Sequence, residues 1–244
     1  MSSCFISTVI ASSVGYQCFN SALDLGYVPQ PPGKYAGADR HKWRNAATSC
    51  FSALVMSTIV VYCLLNPDLW LDPFSYSTKV AEAGLAIMCG YLVYDACDIV
   101  IHTGLFKMWT VLLHHVVVAL SYYVLSIEHV EIGMGIISLI TEISAVFLHS
   151  RQLLLIYGFS KRSLVFGVHK IFNILTSVVC RLVAIAYVCY VSVFGGHPMP
   201  AYMAVLIPLL SVIVFVINCA MFWRLLRSDF LSSKTDKMDF IMEN

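Results

Sequence analysis

The stretch MWTVLLHHVVVALSYYVL, Met108 to Leu125, decides the fold class, because it is an apolar run of helical length that contains two adjacent histidines. Crossing the hydrocarbon core of a bilayer takes roughly 20 predominantly apolar residues in a helix. The whole chain has the same character, since 59% of its 244 residues are hydrophobic and only 12% are charged. A soluble domain carries about 25% charged residues. The sequence therefore predicts an all-α integral membrane protein.

Six apolar runs have the length of a membrane span. They are residues 45–65, 80–101, 109–127, 132–155, 166–194 and 201–223. A seventh candidate, residues 4–23, is diluted by serines and by Gln17 and Asn20, so it is either a span or a cleaved signal segment. Its start lacks basic residues, which favours the span. We expect six to seven transmembrane helices, with a candidate span and lead-in over 1–42, the main helical domain over 43–230 and a tail over 231–244.

The basic residues indicate how the chain is oriented. Lysine and arginine near span ends favour the cytoplasmic side. If the chain has seven spans, most of its lysines and arginines lie in the connections and the tail on one side of the membrane. These residues are Lys34, Arg40, Lys42, Arg44, Lys107, Arg151, Lys161, Arg162, Arg224, Arg227, Lys234 and Lys237. This predicts an external N-terminus and a cytoplasmic tail. The formal net charge of +1 gives no reason to expect a nucleic-acid partner.

Polar side chains inside the predicted spans point to a shared cavity. A charged side chain at membrane depth costs roughly 2.5–3.5 kcal/mol, so it needs a partner, water or a function. Four predicted helices carry such residues at overlapping depth: Asp95, Asp98, His102, His114, His115, Glu142, His149, His169, Lys170, Asn173, Ser177 and Arg181. If these faces turn inward, the bundle encloses a polar-lined cavity with apolar walls. Such a cavity suits an amphiphile, either a lipid or an acyl thioester.

Several roles are open for these residues. An imidazole oriented by a carboxylate can serve as a general base or as an acyl carrier. If the protein is an enzyme, the catalytic candidates are His114, His115 and Asp98. The candidates for lining a lipid-binding cavity are Asp95, Glu142, His149, His169, Asn173 and Arg181. Alternatively, the histidines are structural and the two aspartates are counter-ions of Arg181 or Lys170. A lipid-binding regulator and a transporter or channel modulator use the same polar faces without catalysis.

The spacing of the histidines argues against a membrane di-iron oxygenase. Membrane di-iron oxygenases use boxes such as H-x-x-x-H and H-x-x-H-H, and the eight histidines of this chain form neither. The sequence therefore predicts no metal and no cofactor.

Four segments together resemble the TLC-domain family over about Trp43 to Phe230. They are YLVYDACDIV (91–100), LLHHVVV (112–118), LITEISAVFLHSRQLL (139–154) and RLLRSDF (224–230). The family includes ceramide synthases, which acylate sphingoid bases from acyl-CoA in a helical barrel with a histidine pair and acidic residues. The resemblance implies that His114 and His115 correspond to that pair. The second acid of the synthase pattern is absent here, where Ala145 stands.

The chain is most similar to a plasma-membrane subgroup of this family. The resemblance implies a role in controlling the acyl composition of membrane phospholipids and hence membrane fluidity, by limiting incorporation of polyunsaturated, fluidising species. The partners it implies are membrane phospholipids or acyl-CoA. An acyl-CoA-dependent acyltransferase is the alternative.

Overall fold

The computed structural model describes residues 2–26, 28–31, 40–195 and 199–231. Helices account for nearly all of them: α1 (Ser2–Ala22), α2 (Arg40–Leu64), α3 (Pro67–Leu71), α4 (Lys79–His102), α5 (Trp109–Glu128), α6 (Ile132–Ser138), α7 (Thr141–Ile156), α8 (Leu164–Thr176), α9 (Ala184–Phe194) and α10 (Met203–Leu226). Lys34, Lys234 and Lys237, with all but the first residue of the predicted tail, lie outside the described residues.

Six helical segments are long and apolar enough to cross a membrane, which confirms the six predicted spans. They are Arg40–Leu64, Lys79–His102, Trp109–Glu128, Ile132–Ile156, Leu164–Phe194 and Met203–Phe230. The fourth consists of α6 and α7 with a break between them, and the fifth consists of α8 and α9 joined by a π-helical turn, Ser177–Val183. The seventh candidate forms helix α1 but is not among these six, so its crossing of the membrane stays a prediction.

Helix α1 packs tightly against α4. A Cβ atom at Gly90 would lie 2.6 Å from both Ser12 Cβ and the Val9 carbonyl oxygen, so the two backbones approach this closely only because position 90 is glycine. At the same place the Ser12 hydroxyl donates to the Ile87 carbonyl oxygen at 2.9 Å. Small residues commonly mediate such contacts between membrane helices. Helix α1 is therefore an integral part of the bundle.

The connection between α5 and α6 is held in an unusual conformation. His129 and Glu131 both have positive φ, 54° and 55°, which is uncommon for residues other than glycine. Backbone hydrogen bonds from Glu131 to the Phe74 carbonyl and from Gly133 to the Tyr76 carbonyl tie this turn to the loop before α4. The turn therefore fixes one end of the bundle, next to the start of α6.

Helix α4 lies at the centre, in contact with α1, α2, α5 and α6. Helix α10 packs against both α5 and α9. Met56, Val60, Leu85 and Ile136, from α2, α4 and α6, are fully buried where these helices meet. Burying such side chains is favourable because each removes apolar surface from contact with water or mobile lipid. The arrangement leaves a space between α4, α5, α6, α7, α9 and α10, which contains the candidate site.

Candidate functional site

The space between these helices is a cavity of about 80 Å³, lined by residues of α4, α5, α6, α7, α9, α10 and the α5–α6 connection. Its apolar wall comes from Met88, Val118, Leu125, Met134, Ile185, Val188, Ile207 and Val214. Its polar groups belong to His114, Ser121, Tyr122, Glu131, Ser138, Thr141, Glu142, Ser192, Ser211 and Asn218. A mostly apolar cleft with a few placed polar groups is the usual form of a small-molecule site. The lining residues extend from Glu131, in the α5–α6 connection, to His114, which lies about one turn after the start of α5.

The ionisable side chains at or next to this cavity come from α5, α7 and the π-helical turn Ser177–Val183. His114 of α5 and Glu142 of α7 line the wall. Arg181 does not line the wall but interacts electrostatically with Glu142. The Arg181 guanidinium is buried and donates through Nε to the Ser144 hydroxyl at 3.0 Å. Among the described residues, His114 Nδ1 is buried without a hydrogen-bond partner.

A π-helical turn places Arg181 beside α7. This turn, Ser177–Val183, interrupts the α-helical hydrogen-bond pattern between α8 and α9. A π-helical turn rotates the residues after it relative to those before it, and such turns are frequent at functional sites. Arg181 reaches Ser144 on α7, whereas His169 and Lys170, before the turn, contact Ser150 and the Asp229 carbonyl oxygen.

His115 faces away from the cavity. Its ring centroid is 6.0 Å from that of His114, and its Nε2 lies 3.3 Å from the Asp95 carboxylate on α4. Adjacent residues of a helix point about 100° apart, which explains why the two rings reach different surroundings. The Asn45 amide of α2 donates to Asp95 at 2.7 Å and to Asp98 at 3.2 Å. Asn45 therefore joins both aspartates in one network.

The network continues to the end of the bundle. His41 Nε2 lies 2.7 Å from Asp98 Oδ2, and His102 Nδ1 lies 3.2 Å from Asp98 Oδ1. The two imidazole rings stack with centroids 4.2 Å apart. The sequence assigned no role to His41 or Asn45, because they precede Asp98 by more than 50 residues. The one available signal is that both are polar residues in the first turns of an apolar span.

The remaining predicted cavity residues lie elsewhere. His169 Nε2 is 2.8 Å from the Ser150 hydroxyl, and His149 Nδ1 is 3.3 Å from the Gln152 amide oxygen. Asn173 is completely buried. All three lie at or near the contact between α7 and α8. Of the predicted set, His114 and Glu142 line the cavity, Arg181 interacts with Glu142 without lining the wall, and Asp95 and Asp98 belong to the network with His115.

Arg151 has a counter-ion, Asp229, that sequence reasoning missed, and Lys170 contacts the same segment. The Arg151 guanidinium of α7 forms an ion pair with Asp229, and it also donates to the Ser228 hydroxyl at 3.2 Å. Lys170 donates to the Asp229 carbonyl oxygen at 2.8 Å and lies 3.5 Å from the centroid of the Phe230 ring. These contacts hold the end of the last span against α7 and α8. The aspartates of α4 are therefore not the counter-ions of Lys170.

Comparison with known proteins agrees with this architecture. The TLC domain family matches residues 42–227. TLC domain-containing protein 2 of Danio rerio is 29% identical over 227 residues, which cover 93% of this chain and 91% of the relative. The Homo sapiens TLC domain-containing protein 2 is 30% identical and covers 87% of this chain and 80% of its own, and TLC domain-containing protein 1 of Mus musculus is 24% identical and covers 80% and 78%. No solved structure is a significant match.

Proposed function

The chain belongs to the TLC-domain family, and from that premise we propose that it binds membrane lipids in its interhelical cavity and thereby regulates phospholipid acyl composition and membrane fluidity. We place this activity in the plasma membrane, where it limits the incorporation of polyunsaturated phospholipids. The proposed partners are membrane phospholipids or acyl-CoA. The location and the direction of the effect rest on the resemblance to the plasma-membrane subgroup of the family.

One observation carries the lipid-binding proposal. The cavity combines an apolar wall with a polar region in which His114 has a buried nitrogen with no partner among the described residues. An unsatisfied buried polar atom costs about 1–3 kcal/mol, and a bound polar group that supplies a hydrogen bond removes that cost. A lipid fits these requirements, with its chain along Val118, Val188 and Val214 and a polar group near His114 and Glu142.

A second candidate is an acyltransferase, and it is favoured by the His115–Asp95 pair. A carboxylate 3.3 Å from an imidazole nitrogen can orient the ring and stabilise its charged form. The pair stands directly beside His114, which lines the cavity. In this candidate function His114 contacts the acyl group, while the Asp95, Asn45 and His115 network positions the neighbouring turn of α5.

The regulatory function is tested by lipid profiling of cells that lack the protein. We expect the deletion to raise the polyunsaturated share of phospholipids, wild-type rescue to reverse it, and rescue with H114A/H115A at matched protein level to fail. The matched control is H129N, because His129 is exposed, lies outside the cavity, and has a positive φ of 54° that asparagine tolerates. An unchanged polyunsaturated fraction in the deletion would contradict the regulatory role.

The two candidates are separated with purified protein. It is incubated with acyl-CoA and a panel of lysophospholipids and sphingoid bases, and acylated products are measured by mass spectrometry. Product that depends on His114 establishes the acyltransferase. Saturable binding of acyl lipid without product establishes the binding protein, and the absence of both binding and product contradicts both candidates.

A further inference from the structure

Three metal-ligating side chains converge where α2 begins and α4 ends. One ligand atom each from His41, Asp98 and His102 lies within 4.8 Å of the other two. The three side chains supply two imidazoles and one carboxylate. The Asp98 carboxylate is nearly buried, with 5% of its side chain exposed, whereas the His102 side chain is 41% exposed. A buried carboxylate between two histidines differs from the solvated acidic clusters that are common on protein surfaces.

The distances suit a small tetrahedral ion. Zinc binds nitrogen and oxygen ligands at about 2.0–2.2 Å, which puts two ligands of a tetrahedron about 3.3–3.5 Å apart. The 3.2 Å between His102 Nδ1 and Asp98 Oδ1 already matches. The 2.7 Å between His41 Nε2 and Asp98 Oδ2 is a hydrogen bond and has to widen by about 0.6 Å. His102 Nδ1 also lies 3.0 Å from the Asp98 carbonyl oxygen, and the two rings are stacked, so both imidazoles have to turn toward the ion when it binds.

We propose that His41, Asp98 and His102 bind one Zn²⁺ ion. Imidazole ligands favour zinc and other transition metals over magnesium or calcium, which prefer oxygen. Three protein ligands leave a fourth tetrahedral position for water or for an oxygen of a bound molecule. The partly exposed His102 gives the ion a path of entry. The site is independent of the lipid-binding proposal, because none of its three ligands lines the cavity.

Asn45 has the position of an outer-shell residue. Its amide donates to Asp98 Oδ2 at 3.2 Å and to Asp95 at 2.7 Å. Hydrogen bonds to a ligating carboxylate orient it toward the ion, and their loss typically lowers metal affinity 10–100-fold. Sequence spacing did not reveal the site, because His41 and Asp98 are 57 residues apart and only the i, i+4 pair Asp98 and His102 is local.

The test measures zinc binding to the purified full chain in detergent after dialysis against a chelator. We expect one Zn²⁺ per chain by elemental analysis and calorimetry, and a higher unfolding temperature with added zinc because the ion binds only the folded chain. H41Q and H102Q should lose stoichiometric binding, and N45A should weaken it roughly 10–100-fold. The matched control, H129Q, removes a histidine that faces a single carboxylate, Glu82, at 3.6 Å and should bind as wild type does.

X-ray absorption of the zinc-loaded wild-type protein keeps the test valid even where a variant does not fold. It should show two imidazoles and oxygen around the ion, without sulfur. Wild-type protein that retains no stoichiometric zinc would overturn the proposal. A sulfur-containing shell, or folded H41Q and H102Q variants with wild-type affinity, would overturn it as well.

Discussion

Replacing Arg151 or Asp229 singly should destabilise the protein strongly, whereas replacing both should not. Both side chains are almost fully buried, with 4% and 2% of their surfaces exposed. The Arg151 guanidinium donates to both oxygens of Asp229 and to the Ser228 hydroxyl. Removing one partner of a buried ion pair leaves the other charge without compensation and costs about 3–5 kcal/mol. Replacing both by apolar side chains is often neutral or stabilising.

The structure also predicts which single change is worse. In R151M the Asp229 carboxylate keeps a nearby cation, because the Lys170 ammonium lies 2.8 Å from the Asp229 carbonyl oxygen and can turn toward the side chain. We therefore expect a loss of about 3 kcal/mol. In D229L, Arg151 and Lys170 stand together without that carboxylate, so we expect about 5 kcal/mol. The double variant R151M/D229L should lie within about 1 kcal/mol of wild type.

The assay is unfolding of the purified variants in mixed detergent micelles, followed by circular dichroism. Arg162 is exposed, so R162M is the matched control for loss of an arginine and should change stability by no more than about 0.5 kcal/mol. A double variant as unstable as D229L would refute the reasoning, since the arginine would then act through packing and not through its charge. Single variants within about 0.5 kcal/mol of wild type would refute it too.

Three further predictions concern packing, the cavity and topology. G90A should destabilise the bundle by pushing α1 from α4, whereas G167A, whose Cβ would meet nothing within 4 Å, should be neutral or stabilise by about 0.5–1 kcal/mol; thermal unfolding measures both. V188W should fill the cavity and abolish binding of a fluorescent acyl lipid, whereas V205W at a position 70% exposed should not; equal binding would exclude this cavity as the site. Terminal tags in intact cells should be accessible from outside at the N-terminus and protected at the C-terminus, and protection of both would mean that α1 does not span.

The spans were predictable because length and apolar content dominate the choice of structure in a membrane. An unbroken apolar run can satisfy its backbone there only as a helix, and all six runs are helical. The start of the first of these six spans was less accurate, since helix α2 begins at Arg40 and the prediction began at residue 45. Its polar first turn is helical because His41 and Asn45 find partners on α4, which no local pattern reveals.

The sequence indicated which types of residue lie buried in the bundle, but less well which of them lie together. Burial costs singled out His114 and Glu142, and both side chains line the same cavity. The sequence could not show that Arg181 lies in a π-helical turn, because nothing in SVVCRLV distinguishes that turn from an α-helix. It also could not pair Arg151 with Asp229, since the two are 78 residues apart and their contact depends on how α7 and α10 pack.

The Arg151–Asp229 pair imposes an order on membrane insertion. Arg151 belongs to the fourth of the six apolar spans, and its counter-ion ends the sixth. During synthesis the arginine reaches the bilayer two spans before the carboxylate exists, so α7 must remain near water, lipid headgroups or the translocation machinery until α10 arrives. A chain truncated before Asp229 would retain this unmatched charge, so we expect it to integrate less stably into the bilayer than the full chain.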